Sequence, residues 1–315
     1  MNAPVLLGDV GGTHTRLALY GPGKDLHTAK VVGNAQYGKL ETIVAAFIAE
    51  HCEKDTPHIA ALAVAGPVSD GSVTLTNLGW RIQAEELKRR FHFDAVYLMN
   101  DLCAVALAVP LLEAADRIQI GPGQGVPDGA IGVLGPGTGL GVAGLVKSRH
   151  EWIPIAGEGG HVTVSPRGGK EREIVERLEQ DFGHVSAERI LSGPGIENLY
   201  RVLARSGGTV PAAPEISRRA ISDTDPVAVE ALDLFFSMLG TVAGDLALTL
   251  GATGGIYLCG GILPGLREQL ESSRFRERFV EKGRYRRYLD AIPTFLMTGD
   301  APALHGLRHF VDTQR

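Results

Sequence analysis

Apolar residues recur with two different spacings along the chain. Unbroken apolar runs at residues 59–65 and 96–99 have strand length and end in turn or polar residues, which predicts strands covered on both faces. Residues 5–10, the turn Gly11-Gly12-Thr13 and the alternating residues 16–20 predict a β-hairpin closed by glycine. A helix is predicted over residues 38–52. Another begins at Asn100 and Asp101, both able to cap a helix N-terminus, and runs to Ala108 before Pro110 stops it. Strands alternating with helices imply an α/β domain.

The pattern of strand, glycine turn and strand then returns. Residues 131–134 lead into Gly135-Pro136-Gly137-Thr138-Gly139-Leu140-Gly141, followed by apolar residues 142–146. At an offset of 125 residues, Gly12 and Thr13 fall on Gly137 and Thr138, and Leu17 and Ala18 on Val142 and Ala143, which suggests two related halves. Residues 170–180 predict a helix with a solvated charged face, and residues 228–250 a long helix buried between layers. Residues 256–259 predict a short strand running into Gly260-Gly261 and a further helix.

The length of 315 residues is about twice that of a common domain, so a second domain is expected to start near residue 110. Hydrophobic residues at 44% and charged residues at 21% exclude a disordered chain. The 41 glycines lie in short runs without a three-residue period, which excludes collagen and implies many turns set by the backbone. With 31 Lys and Arg against 36 Asp and Glu, the net charge of −5 provides no field for a phosphate polymer, and no nucleic-acid partner is expected. Cys52, Cys103 and Cys259 lie far apart without CxxC spacing, as for reduced thiols in a core. Asp9 interrupts the first apolar run, and Pro110 or Asp245 the later ones. No signal peptide or membrane span is expected, and the chain reads as soluble and cytoplasmic.

Glycine turns are where chemistry enters. Without a Cβ the backbone can bring successive N–H groups into one concavity and approach phosphate oxygens closely. One such turn is also met in a plain hairpin, whereas two similar turns plus Gly260-Gly261 at a strand end suit a polyphosphate. The run Gly139-x-Gly141-x-x-Gly144 matches a dinucleotide fingerprint, but strands follow it in place of a helix. Asp181-Phe182-Gly183 lacks the other kinase motifs and is expected to be a helix end with Gly183 as its cap. No P-loop, HExxH or GxSxG motif is present.

Polar residues cluster at Asn100-Asp101, at Glu158-Gly159-Gly160-His161, and at residues 184–188 ahead of Arg189. Asn100 and Asp101 end a buried strand, where α/β sheets commonly place ligand contacts, although Asp101 also suits a simple N-cap. Glu158 and His161 flank two glycines, which allows a tight turn presenting both side chains. No further His or Cys falls at metal-ligand spacing. Carboxylates that accept from adjacent hydroxyls, beside a histidine, suit a sugar.

Residues 8–13, Asn100-Asp101, residues 135–141, residues 158–162 and Leu191-Ser192-Gly193-Pro194-Gly195 together resemble the bacterial glucokinase family, from about residue 5 to about residue 310. The resemblance implies a two-domain actin-like ATPase fold of ribonuclease H-like type, with duplicated hairpin phosphate loops and an interdomain cleft. It divides the chain into residues 1–110 plus about 298–315, and residues 111–297. It further implies that Gly8, Asp9, Val10, Gly11, Gly12 and Thr13 form one ATP loop and Gly137, Thr138 and Gly139 another, with Gly260 and Gly261 beside the adenosine. Asn100, Asp101, Glu158, His161 and Glu188 would hold the sugar, Asp101 would be the catalytic base, and Asn77 would line the sugar pocket. Asp9 would meet Mg²⁺ through water, without direct metal ligation by the protein. The implied activity is ATP-dependent phosphorylation of D-glucose by a homodimer. A kinase for another hexose or an N-acetylhexosamine, and a sugar-sensing ATP-binding regulator on the same fold, are the alternatives. A related kinase and repressor group carries a zinc motif after the histidine, but residues 162–166 bring no cysteine, so no structural zinc is expected.

Overall fold

The strand alternation near the N-terminus closes into the expected hairpin, β1 (Val5–Val10) with β2 (His14–Tyr20), in an antiparallel register that sets Asp9 opposite Arg16. In this computed structural model residues 4–21, 26–52, 55–205 and 208–314 are described. Met1 and Arg315, the outer limits of the expected domain division, lie outside them. The chain forms two compact units: Met1–Leu112 with Ser148–Ala156 and Asp300–Arg315, and Glu113–Lys147 with Gly157–Gly299.

In the first unit β2 also pairs with β3 (His27–Gly33), and β1 pairs in parallel with β4 (Ile59–Val64), which pairs in parallel with β7 (Ala95–Asn100). The hairpin β5 (Ser72–Leu75) and β6 (Trp80–Gln83) forms a separate two-stranded sheet. The helix Leu40–His51 buries Leu40, Ile43, Val44 and Phe47, spaced three and four apart so that they share one face. These residues join Leu62 and Trp80 in the core of the unit. Helix Asp101–Ala108 packs against the C-terminal helix Pro302–Thr313 so closely that a Cβ on Gly306 would fall 1.7 Å from Ala104 O.

The second unit repeats the plan. β8 (Arg117–Gln119) is followed by β9 (Ile131–Pro136) and β10 (Leu140–Lys147), which form an antiparallel hairpin. Next in the chain, β11 (Trp152–Gly157) follows a turn in which Ser148 N–H donates to Glu151 O. β12 (Gly255–Leu258) lies parallel to β9 and to β13 (Thr294–Met297), and β8 pairs antiparallel with β13. The order β10-β9-β12-β13 thus restates β2-β1-β4-β7: a hairpin whose first strand is continued by two parallel strands. Ser148–Ala156 clusters with the first unit, and residues 148–151 form a polar turn with no Pro or Gly.

Helix Pro226–Leu250 is long and apolar enough by length and composition to cross a bilayer, but 67% of its most apolar window is buried in the protein. It is a core helix, packed through Phe235, Phe236 and Leu239 with Phe275 and Phe279. The charged helix Gly169–Phe182 ends at Gly183, whose φ of 72° makes it the expected cap.

Candidate active site

Register places the first set of polar groups. Val10 pairs with Val64 and Val64 with Asn100, so the turn after β1 and the helix after β7 leave one carboxyl edge of the sheet, two strands apart. At about 4.8 Å between neighbouring strands, that is about 10 Å. Gly11 N–H donates to His14 O across the turn, 3.0 Å. Asn34 lies beneath: its N–H donates to Thr13 O and its Nδ2 to Gly11 O, both 2.8 Å, while Thr15 Oγ1 donates to its Oδ1, 2.8 Å.

Asn100 is the cap of helix Asp101–Ala108. Its Oδ1 accepts from Leu102 N–H at 3.0 Å and Cys103 N–H at 3.3 Å, and its Nδ2 donates to Gly66 O at 3.3 Å. Its oxygen is therefore spent, and towards a sugar it can offer only its second amide hydrogen. Asp101 is the first helical residue, half-buried, with Oδ1 accepting from Leu102 N–H at 2.8 Å.

Asp9 is half-buried in β1, and desolvation raises its pKa against the lowering charge of Arg16. Gly8 and Val10 do not belong to the turn. Val10 is fully buried, and a Cβ on Gly8 would fall 2.6 Å from Leu62 Cδ2, so this glycine serves core packing. Asn77, in the turn between β5 and β6, lies over the glycine turn: its Nδ2 is 3.4 Å from where a Cβ on Gly12 would stand.

In the second unit three turns gather around Leu140, the first residue of β10. The Gly137-Thr138-Gly139 turn is closed by Gly137 N–H donating to Gly139 O, 2.8 Å, and anchored by Gly193 N–H donating to Gly137 O, 2.8 Å. Glu188 Oε2 accepts from Leu140 N–H at 2.8 Å, in space that a side chain on Gly139 would fill, 2.4 Å away. The turn Gly159–His161 packs flat on β10, because a Cβ on Gly160 would fall 2.0 Å from Leu140 O. Ala187 N–H donates to Val162 O at 2.9 Å, tying the turn that carries Glu158 and His161 to the one that carries Glu188. Glu158 and His161 are exposed and Glu188 is half-buried.

Gly260 follows β12 with φ 89°, and a Cβ there would fall 2.3 Å from Pro136 O, so only glycine fits. Gly261 beside it is exposed, with nothing within 4 Å of the corresponding position. In the first unit Gly11, Gly12, Thr13, Asp9, Asn100 and Asp101 share one sheet edge, and in the second Gly137, Thr138, Gly139, Glu158, His161, Glu188, Gly260 and Gly261 share another, so the residues expected to hold the sugar are divided between the two units. Asn34 escaped the sequence reading, and Ser192 entered it only as part of a motif, with no role assigned. Ser192 Oγ donates to Glu188 O at 2.8 Å and accepts from Gly195 N–H at 3.0 Å, capping the helix Gly193–Ala204. A serine ahead of Gly-Pro-Gly was the available signal for it, whereas nothing in the local sequence marks Asn34.

Among the described residues no group of three or more His, Cys, Asp or Glu is placed to hold a metal ion. A hydrated Mg²⁺ needs fewer protein ligands, and the desolvated carboxylate of Asp9 fits that requirement.

The model of the glucokinase family matches residues 6–314. The chain is 46% identical over 312 residues to a glucokinase of Nitrobacter hamburgensis, covering 98% of this chain and 97% of that one. It is 42% identical over 315 residues to a glucokinase of Paramagnetospirillum magneticum, covering 99% and 98%. Among solved structures, a glucokinase from an Antarctic psychrotroph matches with a TM-score of 0.88 at 34% identity, covering 99% of this chain and 100% of that one. With paired hairpins, matching parallel strands and polar turns at their carboxyl ends, the chain belongs to the glucokinase family.

Proposed function

We propose that the chain transfers the γ-phosphoryl group of ATP to the primary hydroxyl of D-glucose, with Asp101 receiving the hydroxyl proton. Family membership makes it an ATP-dependent hexokinase-type phosphotransferase. The observation that carries the residue assignment is the row Val10, Val64, Asn100, which sets the glycine turn and Asp101 on one sheet edge. At about 10 Å apart, they leave room for a phosphate and the acceptor carbon between them.

In this reading the bond from the sugar oxygen to the γ-phosphorus forms as the bond to the bridging oxygen breaks, ADP leaves, and the proton passes to a carboxylate oxygen of Asp101. The transition state is loose, so the chain contributes chiefly alignment and N–H groups for the phosphate oxygens. Those groups come from the turns at Gly11–Thr13 and Gly137–Gly139, and Gly261 offers an open face to the adenosine. Glu158, His161 and Glu188 accept from sugar hydroxyls, Glu188 through the oxygen not bonded to Leu140, and Asn100 donates. Asp9 would hold Mg²⁺ through water, and that ion supplies neutralisation of the β- and γ-phosphate charge. An ordinary aspartate suffices as the base, since the alcohol becomes acidic as its oxygen bonds to phosphorus.

Asp101→Ala is expected to lower kcat by about 10²- to 10⁴-fold, the range for a positioned base, while ATP binding by calorimetry stays within a few-fold. Near-normal turnover would remove Asp101 from the mechanism. ADP release measured across glucose, mannose and N-acetylated amino sugars should give the highest kcat/KM for glucose, and a higher value for another sugar would move the substrate assignment.

A further inference from the structure

The first glycine turn has its carbonyl groups held from outside the hairpin. In a tightly closed two-residue turn the carbonyl of the first flanking residue accepts from the amide three residues on. Here Gly11 O accepts instead from the side chain of Asn34, and Thr13 O accepts from its backbone, both at 2.8 Å. Asn34 is fully buried, and so is Thr15, whose hydroxyl donates to Asn34 Oδ1 and thereby keeps Nδ2 facing Gly11. A buried amide with its oxygen and nitrogen both engaged has one orientation.

The peptide plane turns this into a statement about the ligand. Gly11 O and Gly12 N–H belong to one planar trans peptide and point in opposite directions, as do Thr13 O and His14 N–H. Pinning the two carbonyls beneath the turn therefore aims Gly12 N–H away from the core, and among the described residues that N–H has no acceptor. The second turn is held in a comparable way, with Gly137 O accepting from Gly193 N–H, an amide outside its hairpin.

We propose that Asn34 is a positioning residue for the nucleotide: by fastening the peptides on either side of Gly12-Thr13 it fixes the direction in which the turn offers its N–H groups to phosphate. The inference rests on the reading of that turn as a phosphate loop. Asn34 touches no substrate in this account, so its removal should act on the nucleotide and spare the sugar.

The test is steady-state kinetics on full-length Asn34→Ala and Asn34→Asp, with melting temperatures recorded alongside. Asp keeps an acceptor for Thr15 but sets a carboxylate against Gly11 O. Both variants are expected to raise KM for ATP about tenfold, equivalent to about 1.4 kcal/mol, with KM for glucose within about twofold of the parent. Should the Asn34 variants fail to fold, Thr15→Val, which unfastens the amide but suits a strand, is read in their place and should raise KM for ATP with the same selectivity. Gly12→Val serves as the control on the turn itself. If it raises KM for ATP and the folded Asn34 variants do not, or if they raise both KM values equally, the proposal falls while the phosphate-loop reading stands. If neither Gly12 nor Asn34 variants change KM for ATP, both fall.

Discussion

A carboxylate inside a sheet is costly unless something compensates it, and Asp9 is such a case. Burial raises its pKa and Arg16 only partly offsets this, so the folded protein holds the proton more tightly than the unfolded chain does. The resulting contribution to stability is complete below the unfolded value of 3.8 and is lost as pH rises through the folded value. Asp9→Asn should therefore gain stability relative to the parent between pH 3.5 and pH 7, with denaturant midpoints as the readout. Saturating Mg-ATP should narrow that gap at pH 7, because a cation near the carboxylate returns what burial took. A difference that does not vary with pH would show that Asp9 titrates alike in both states. The glycine turn was legible in the chain because an apolar run precedes it and alternating residues follow it, whereas the role expected of Asp9 came from the family resemblance. Asn34 was not legible: its role comes from a pairing between β2 and β3 that brings residues 19 positions apart together.

At the scale of elements, the helix bearing Asp101 is located by its partner. Gly306 in helix Pro302–Thr313 lies against the backbone at Ala104, leaving no room for a methyl group. Alanine would favour the isolated helix by about 1 kcal/mol. Overpacking costs about 1–3 kcal/mol and more where backbone must move, so the steric term wins. Gly306→Ala should lower the melting temperature by several degrees and reduce kcat with little change in KM for ATP, as helix Asp101–Ala108 shifts while the glycine turn stays. A variant at least as stable as the parent would contradict the close approach. The elements that pattern revealed were the long or fully apolar ones: Leu40–His51, Ile59–Val64, Ala95–Asn100, the β9–β10 hairpin and Pro226–Leu250. The β5–β6 hairpin and helix Pro302–Thr313 went unread. Strands of four residues carry too few alternations to register, and a glycine in a helix obscures the very position that packing demands.

Across the whole molecule, each unit carries its own apolar core, one around Leu62 and Phe47, the other around Phe235 and Phe275. Losing buried volume in one should loosen that unit first. Leu62→Ala is expected to speed hydrogen exchange in residues 5–100 and Phe235→Ala in residues 226–280, each by the equivalent of about 2–5 kcal/mol. Equal acceleration in both units from either substitution would mean that the chain opens as a single piece. The duplication was visible from the glycine spacing, and the return of the chain's last residues to the first unit was implied by the family resemblance; the placing of Ser148–Ala156 with that unit depends on tertiary packing, which no local pattern records.

Helix Pro226–Leu250 has a mean hydropathy of 1.5 over its most apolar window and is covered only while the larger unit stays closed. Once bared, such a stretch is attractive to chaperones, to lipid and to other copies of itself. Opening of that unit is then the event that commits a molecule to rescue, aggregation or degradation, and a substitution that hastens it would deplete the enzyme while leaving every catalytic group intact.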